Sequence, residues 1–364
     1  MNQTLRLLAS ATVAATMSAS VVAADKKLHV YNWSDYIAED TIANFEKETG
    51  IEVVYDVFDS NEVLEAKLLT GNSGFDLVVP SSDFLGRQAQ AGAFQALDRS
   101  KLSNYSNLDP KLMQILQDKD PGNQFAVPYL WGTTGLGYNV EAMARIFGED
   151  FEVNSWDLVF KPEMISKIDC GVAFLNAPSE IIPAAMHYLG MDPNSTNPKD
   201  VEPAEELLLK VRPYITYFHS SQFINDLANG DICLAVGWSG DILQAADRAD
   251  EADNGITIEY VIPQEGTLVW FDLMAIPRDA RNVDAAHQFI DYLMRPEVMA
   301  EISNYVWYAN AIPSSKATID EEVTGHPGIY PPAEVQEKLW GAKITPPKMN
   351  RAMTSSWNRI KKGL

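Results

Sequence analysis

Carboxylates recur beside hydroxyl groups or aromatic rings at five points of this sequence. At the first point, Trp33, Ser34, Asp35 and Tyr36 supply two rings, a hydroxyl and a carboxylate within four consecutive positions. A carboxylate offers an organic cation a charged hydrogen-bond acceptor, and an aromatic ring offers it an electron-rich face. The stretch therefore indicates a site for an organic cation, while core rings and a helix cap would explain it equally well.

The other four points have a similar composition and lie at or near the ends of apolar, strand-like runs. They are Ser81-Ser82-Asp83, Ser179-Glu180, Trp238-Ser239-Gly240-Asp241 and Trp270-Phe271-Asp272. If the fold gathers these carboxylates and Asp35 in one cleft, their charges repel one another until a bound polycation neutralises them. Each amine would then receive a charge-assisted hydrogen bond worth about 1.5 to 3 kcal/mol.

Other kinds of site have weaker support. The histidines at positions 29, 187, 219, 287 and 326 lack the spacing of a zinc site. Residues 237–241 lack the second glycine of a nucleophile elbow, and residues 132–137 do not match a nucleotide-binding glycine pattern. We therefore predict no catalytic residue, no cofactor and no metal. An exported carbohydrate-active or amine-processing enzyme that uses paired carboxylates is the alternative, since the sequence does not fix their separation.

Alternating strands and helices position the first two of these turns. Residues 51–57 alternate in hydrophobicity as a half-buried strand does, and residues 61–69 have helical spacing before a glycine-rich stop. Residues 75–80 form a continuous apolar strand that leads into a helix near Phe84. Such strand-to-helix units predict an α/β fold whose parallel sheet is covered on both faces and binds ligands at its strand ends.

Two pairs of extended runs suggest that the chain passes between two lobes. The first pair covers residues 125–131 and 133–139, with a glycine between them, and the second covers residues 256–262 and 267–276. A chain of this length exceeds what a single core usually serves, so two lobes are expected.

The first 24 residues predict a signal peptide and therefore a periplasmic protein. Arg6 is the only charged residue before Asp25, the run that follows is apolar and small, and cleavage is expected after Ala24. An uncleaved membrane anchor is the alternative. The formal net charge of −22 disfavours nucleic acid and anionic lipid as partners and favours a cation, although acidity also maintains solubility.

The two cysteines, Cys170 and Cys233, predict one disulfide in an exported protein. Both lie in apolar, strand-like runs, and closing the loop between them would contribute about 4 kcal/mol in the chain-entropy model. Two buried free thiols are the alternative.

Over nearly its whole mature length, the chain resembles the periplasmic polyamine-binding proteins of bacterial ABC importers, the putrescine and spermidine receptors. The motifs that carry the resemblance are Tyr31-Asn32-Trp33-Ser34-Asp35-Tyr36-Ile37, Val79-Pro80-Ser81, Tyr217-Phe218-His219-Ser220-Ser221, Gly237-Trp238-Ser239-Gly240-Asp241 and Trp307-Tyr308-Ala309-Asn310. The resemblance implies an α/β, two-lobed periplasmic-binding-protein fold of type II, in which each lobe is a mixed sheet flanked by helices. The ligand would lie in the cleft. The family also has a single disulfide, which supports the bond between Cys170 and Cys233.

The resemblance also assigns lobes and ligand-binding residues. After a signal peptide of residues 1–24, we expect residues 25–133 and 260–310 in lobe 1, and residues 134–259 and 311–364 in lobe 2. The ligand-binding residues it implies are Trp33, Ser34, Asp35, Tyr36, Ser81, Glu180, Ser220, Trp238, Asp241, Trp270, Asp272 and Tyr308.

The resemblance implies a receptor that captures a polyamine without chemistry and delivers it to a membrane permease of an ABC importer. Signalling to a sensor is an alternative, and we expect a monomer. Members of the family often have phenylalanine where this chain has Trp270. Because a larger ring changes how much of the ligand's length is enclosed, we expect a preference for spermidine over putrescine.

Overall fold

The computed structural model describes residues 27–364. The predicted signal peptide, residues 1–24, lies outside the described residues. Within the described range, no helix combines the length and the apolar composition that crossing a bilayer requires.

The described part of the chain forms eleven strands. In chain order they are β1 (Lys27–Trp33), β2 (Glu52–Phe58), β3 (Leu77–Val78), β4 (Ala126–Asn139), β5 (Val172–Phe174), β6 (Tyr217–Phe218), β7 (Leu234–Trp238), β8 (Ile258–Val261), β9 (Leu268–Ala275), β10 (Ala309–Asn310) and β11 (Trp340–Gly341).

Sixteen α-helices of the described chain flank these strands. They are α1 (Glu39–Thr49), α2 (Asn61–Leu69), α3 (Ser82–Gln90), α4 (Pro110–Leu116), α5 (Val140–Phe147), α6 (Asp157–Phe160), α7 (Pro162–Ile165), α8 (Pro178–Tyr188), α9 (Val201–Val211), α10 (Gln222–Ala228), α11 (Ser239–Glu251), α12 (Val283–Leu293), α13 (Pro296–Val306), α14 (Glu321–Gly325), α15 (Ala333–Gln336) and α16 (Pro347–Lys362).

The strands form two mixed groups that share β4. In the first group, β2, β1 and β3 are parallel, and β9 lies antiparallel to both β3 and the first part of β4. In the second group, the last part of β4 pairs antiparallel with β7 and β8, while β5 lies parallel to β6 and β7. The chain passes from one group to the other between Thr133, which pairs with Val269, and Thr134, which pairs with Trp238.

Strand β4 differs from the two separate extended runs that the sequence suggests. It is continuous from Ala126 to Asn139, with a bulge between Pro128 and Trp131. Gly132 lies within the strand. A Cβ atom at this position would come within 2.8 Å of both the Ser239 hydroxyl and the Trp270 ring. This glycine therefore permits close packing between the two groups and does not end a strand.

The ends of several elements follow from local sequence. Helix α1 ends at Gly50, which adopts a left-handed conformation with φ of 68°, as a helix stop commonly does. Helix α8 has proline in its first turn, where the missing amide hydrogen costs nothing. The first turns of α8 and α11 carry Glu180 and Asp241, at the end of a helix that favours negative charge.

The predicted disulfide between Cys170 and Cys233 is confirmed, with their Cα atoms 5.6 Å apart. The two residues lie just before β5 and β7, which are neighbouring parallel strands in which Val172 pairs with Leu234. The bond therefore joins the starts of two neighbouring strands, which their backbone pairing already holds side by side.

Replacing both cysteines with serine is expected to lower the free energy of unfolding by up to about 4 kcal/mol. The sequence separation of 63 residues means that the bond removes many conformations from the unfolded chain. Urea unfolding would measure the change, and the reduced wild-type protein should match the double variant. Equal midpoints for the oxidised wild type and the variant would contradict a stabilising role for the bond.

Candidate functional site

A cavity lies beside the point where β4 passes between the two groups of strands. The empty space among its lining residues, open solvent included, is about 310 Å³. Its lining residues are Trp33, Ser34, Tyr36, Ser81, Glu180, Trp238, Asp241, Trp270, Asp272 and Tyr308. All ten belong to the ligand-binding set expected from the sequence, and their role in binding stays a prediction. No lysine, arginine or histidine of the described residues lines this cavity.

Asp272 is the carboxyl group that the first group of strands contributes. One of its oxygens accepts a hydrogen bond from the Ser81 hydroxyl at 2.6 Å, and the other accepts one from the Tyr36 hydroxyl at 2.9 Å. Asn61 holds Ser81 in place through two hydrogen bonds. Burial raises the pKa of Asp272 to about 7, and the two hydroxyl donors limit the rise.

Asp241 is fixed by Tyr308. The tyrosine hydroxyl donates to the carboxylate at 2.7 Å and accepts from the backbone N–H of Asp241 at 3.1 Å. Gly240 makes this approach possible, because a Cβ atom there would lie 2.4 Å from the tyrosine ring. Burial raises the pKa of Asp241 to about 8, while the Tyr308 hydrogen bond lowers it and the negative charge of Asp35 adds to the rise.

Glu180 accepts hydrogen bonds from two side chains of the second group of strands. The indole Nε1 of Trp238 lies 3.1 Å from both carboxylate oxygens, and the hydroxyl of Thr134 donates to one of them. Burial raises the pKa of Glu180 to about 8, against the effect of these two donors. Sequence reasoning missed Thr134, whose only signal is a hydroxyl within an otherwise apolar extended run.

The aromatic side chains hold one another around the cavity. The rings of Trp33 and Trp238 meet edge-on with centroids 5.3 Å apart, and those of Tyr36 and Tyr308 do so at 5.1 Å. The ring of Trp270 lies 5.4 Å from that of Tyr308. Aromatic pairs in this geometry stabilise their own arrangement, so the wall of the cavity is built before a ligand arrives.

Two residues of the expected set, Asp35 and Ser220, do not line the cavity. Asp35 has a left-handed backbone, with φ of 54°, and its carboxylate accepts a hydrogen bond from the guanidinium of Arg248 at 2.7 Å. The hydroxyl of Ser220 accepts from the backbone N–H of Asn176 at 3.1 Å. A direct contact between either residue and a ligand stays a prediction.

Comparison with protein families matches residues 40–331 to the bacterial extracellular solute-binding proteins. The chain belongs to this family.

Individual relatives of this solute-binding protein are similar over almost their full length. The putrescine-binding periplasmic protein PotF of Escherichia coli is 55% identical, over 98% of this chain and 97% of the relative. The putrescine-binding periplasmic protein SpuD of Pseudomonas aeruginosa is also 55% identical, over 98% of both chains. These relatives confirm the resemblance to periplasmic polyamine-binding proteins.

A solved structure confirms the predicted fold class. The substrate-binding protein PotD of the spermidine/putrescine ABC transporter of Streptococcus pneumoniae matches with a TM-score of 0.73 and 28% identity. The match covers 93% of this chain and 99% of that one. The mixed sheets and flanking helices described above are therefore those of a type II periplasmic binding protein.

Asp272 should make the ligand-free solute-binding protein lose stability as the pH rises from about 4 to about 7. The pKa of Asp272 is about 7 in the folded protein, whereas an aspartate of an unfolded chain titrates near 4. The protonated form therefore favours folding, and this contribution disappears as the pH rises through about 7. Asp272→Asn cannot ionise, so its melting temperature should rise relative to that of the wild type by a few degrees across this interval.

The matched control is Glu334→Gln, which removes one negative charge at an exposed position of α15. Its melting temperature should follow that of the wild type at every pH. If Asp272→Asn also followed the wild type, the carboxyl group would be hydrated in solution, and the buried site would be contradicted.

Proposed function

We propose that this solute-binding protein captures a polyamine in the cavity described above and delivers it, chemically unchanged, to the permease of an ABC importer. One observation carries the proposal: three buried carboxyl groups face a cavity that has aromatic walls and no cationic side chain among the described residues. Alkyl ammonium groups supply the missing positive charge, and aromatic faces contact both the charged ends and the methylene groups.

We propose putrescine as the polyamine, because both relatives at 55% identity are named putrescine-binding proteins. Its two ammonium groups balance two of the three carboxylates. The third carboxyl group, that of Asp241, can keep its proton near neutral pH, since its pKa is about 8 before a cation binds. The preference for spermidine that we expected from Trp270 has no support from these relatives, and Trp270 remains a candidate for setting the ratio of the two affinities.

We propose that closure of two lobes accompanies binding. Lobe 1, with residues 25–133 and 260–310, would contribute Asp272, while lobe 2, with residues 134–259 and 311–364, would contribute Glu180 and Asp241. Strand β8, which includes residues 260 and 261, pairs with the lobe 2 part of β4, so we move the second crossing from residue 260 to the connection between β8 and β9. A ligand that contacts both lobes binds the closed form better than the open form, and this difference drives closure.

The names of the relatives support the proposed location. Both are called periplasmic proteins, in keeping with export and cleavage of this chain after Ala24. We propose that the exported protein is a monomer.

Asp272→Asn and Glu180→Gln are each expected to weaken putrescine binding by more than about tenfold, because each removes a negative charge that an ammonium group would pair with. Isothermal titration of refolded, ligand-free protein measures the affinity. Glu334→Gln should remain within about twofold of the wild type, and circular dichroism should show that all three variants are folded.

Two outcomes would overturn the proposed function. The first is the absence of binding heat with putrescine, cadaverine, spermidine and spermine. The second is recovery of a chemically altered polyamine after incubation, which mass spectrometry would detect and which would favour the amine-processing enzyme.

Trp270→Phe should change the ratio of putrescine to spermidine affinity by at least about threefold, because a smaller ring leaves more room along the ligand. The indole Nε1 of Trp270 is buried and has no acceptor among the described residues, so the change removes no hydrogen bond within the protein. Trp131→Phe, outside the cavity lining, is the matched control. Titration with both polyamines tests the role of Trp270, and an unchanged ratio would exclude it.

A further inference from the structure

Asn176 lies in the short connection that leads from β5 to the first turn of α8, where Glu180 lies. The backbone N–H of Leu175 donates to the carbonyl of Val236 in β7 at 3.2 Å, which ties the start of this connection to the sheet. At its other end, the backbone N–H of Glu180 donates to the carbonyl of Ala177 at 3.1 Å. The conformation of the connection therefore sets the point from which the Glu180 side chain reaches the cavity.

Helix α16 holds the side chain of Asn176, although none of its described residues, 347–362, lines the cavity. The amide oxygen of Asn176 accepts one hydrogen bond from the indole Nε1 of Trp357 at 2.9 Å and another from the Nζ of Lys361 at 3.1 Å. Trp357 is buried, and its ring meets that of Phe218 in β6 edge-on with centroids 5.0 Å apart. Two donors on one helix, at successive turns, therefore grip a single side chain.

The backbone of Asn176 is fixed as well. Its N–H donates to the hydroxyl of Ser220, which lies in the connection between β6 and α10 and is buried. The backbone N–H of His219 in the same connection donates to the carbonyl of Phe174 at 3.0 Å. Removing one partner of a buried hydrogen bond leaves the other unpaired, and the chain then favours an arrangement that solvates it. The bonds from two separate elements therefore hold Asn176 in one place.

Helix α16 is itself anchored to the second group of strands through α9. The carboxylate of Glu205 in α9 accepts a hydrogen bond from the hydroxyl of Ser356 at 2.8 Å and one from the guanidinium of Arg359 at 2.6 Å. The side chain of Arg212 donates to the backbone carbonyl of Lys361 at 3.2 Å. These contacts make α16 a fixed support for Asn176.

The position of the Glu180 carboxylate matters because its contacts are directional. The indole Nε1 of Trp238 lies 3.1 Å from both of its oxygens, an arrangement that a small displacement of the helix start would break. A charge-assisted bond to an ammonium group requires the same accuracy. Side chains that bind a ligand are held to this accuracy by neighbours that do not themselves touch the ligand.

We propose that Asn176 is a positioning residue for ligand binding: held by Trp357 and Lys361 of α16, it fixes the start of α8 and thereby the place of the Glu180 carboxylate. The inference rests on the proposed function, because the affinity that it concerns is that for a polyamine. It makes the C-terminal helix a determinant of affinity at a distance from the cavity.

The test is a double-mutant cycle between Asn176 and Glu180, measured by titration calorimetry with putrescine. Asn176→Ala should weaken binding by at least about fivefold in the wild type and by less than about 1.5-fold in Glu180→Gln, where no carboxylate remains to be positioned. Trp357→Phe keeps the ring but removes the donor, and it should cost at least about threefold with the same dependence on Glu180. Arg359→Gln is the matched control, because it loosens α16 at its contact with α9 and should leave the affinity within about twofold.

A spectroscopic measurement on the ligand-free protein gives a second test. The bond to Glu180 moves the N–H resonance of the Trp238 indole away from that of a hydrated indole, and the loss of this signal in Trp238→Phe assigns it. Asn176→Ala should return the resonance toward the hydrated value, whereas Arg359→Gln should leave it in place. Proton–nitrogen correlation spectra measure both.

Each result separates the positioning role from the proposed function. Equal losses of affinity with and without the Glu180 carboxylate would overturn the positioning role, because Asn176 would then act on the fold as a whole. An unchanged affinity or an unmoved indole resonance in Asn176→Ala would also overturn it. If Asn176→Ala does not fold, Trp357→Phe decides the question by the same comparisons. Absence of polyamine binding by the wild type would overturn the proposed function, and the indole resonance would then test the positioning by itself.

Discussion

Burial of carboxyl groups that have no cationic partner in the described part of the chain is the constraint on which this structure depends. Moving an ionised carboxylate out of water is costly unless a positive charge and hydrogen-bond donors meet it. Here Asp272, Asp241 and Glu180 have hydroxyl and indole donors but no ammonium or guanidinium partner within residues 27–364. Their pKa values are therefore raised to about 7 to 8, because the hydrogen-bond donors offset only part of the cost of burying the charge. A site in this condition is prepared for a cation and discriminates against anions.

The fold delivers these groups from distant parts of the chain. The hydrogen bond between Tyr36 and Asp272 joins residues that are 236 positions apart. Strand β4 makes the meeting possible, because it pairs with β9 on one side of the crossing and with β7 on the other. Close packing at that crossing requires residues without a Cβ atom, and Gly132 and Gly240 satisfy this requirement beneath Trp270 and Tyr308.

Next to the ligand cavity, Asp35 forms an ion pair with a protein cation, unlike the buried carboxyl groups that line the cavity. Asp35 pairs with Arg248 of α11, and the two side chains are about one third exposed, at 33% and 34%. Partly exposed ion pairs contribute little, on the order of 0 to 1 kcal/mol. This pair therefore links the turn after β1 to helix α11 and adds little stability. The buried carboxyl groups, in contrast, favour a positively charged ligand.

The sequence by itself determined the kinds of residue at the site and the elements that carry them. Helix α2 occupies the expected residues, because hydrophobic spacing and stop signals act within a few positions. The even cysteine count in an exported chain was enough to predict the disulfide. The recurring acidic, hydroxyl and aromatic residues identified nine of the ten residues that line the cavity, and the tenth, Tyr308, came from the family resemblance.

Only the tertiary structure decided which way the carboxylates face and what completes their surroundings. Asp35 and Tyr36 are neighbours in sequence, yet one reaches Arg248 and the other Asp272. Thr134 entered the account only through its hydrogen bond to Glu180, which lies 46 positions away along the chain. Local periodicity assigns a side chain to a face of a strand or helix. It carries no information about which distant element packs against that face, and that packing determines both the solvation and the partner of each acid.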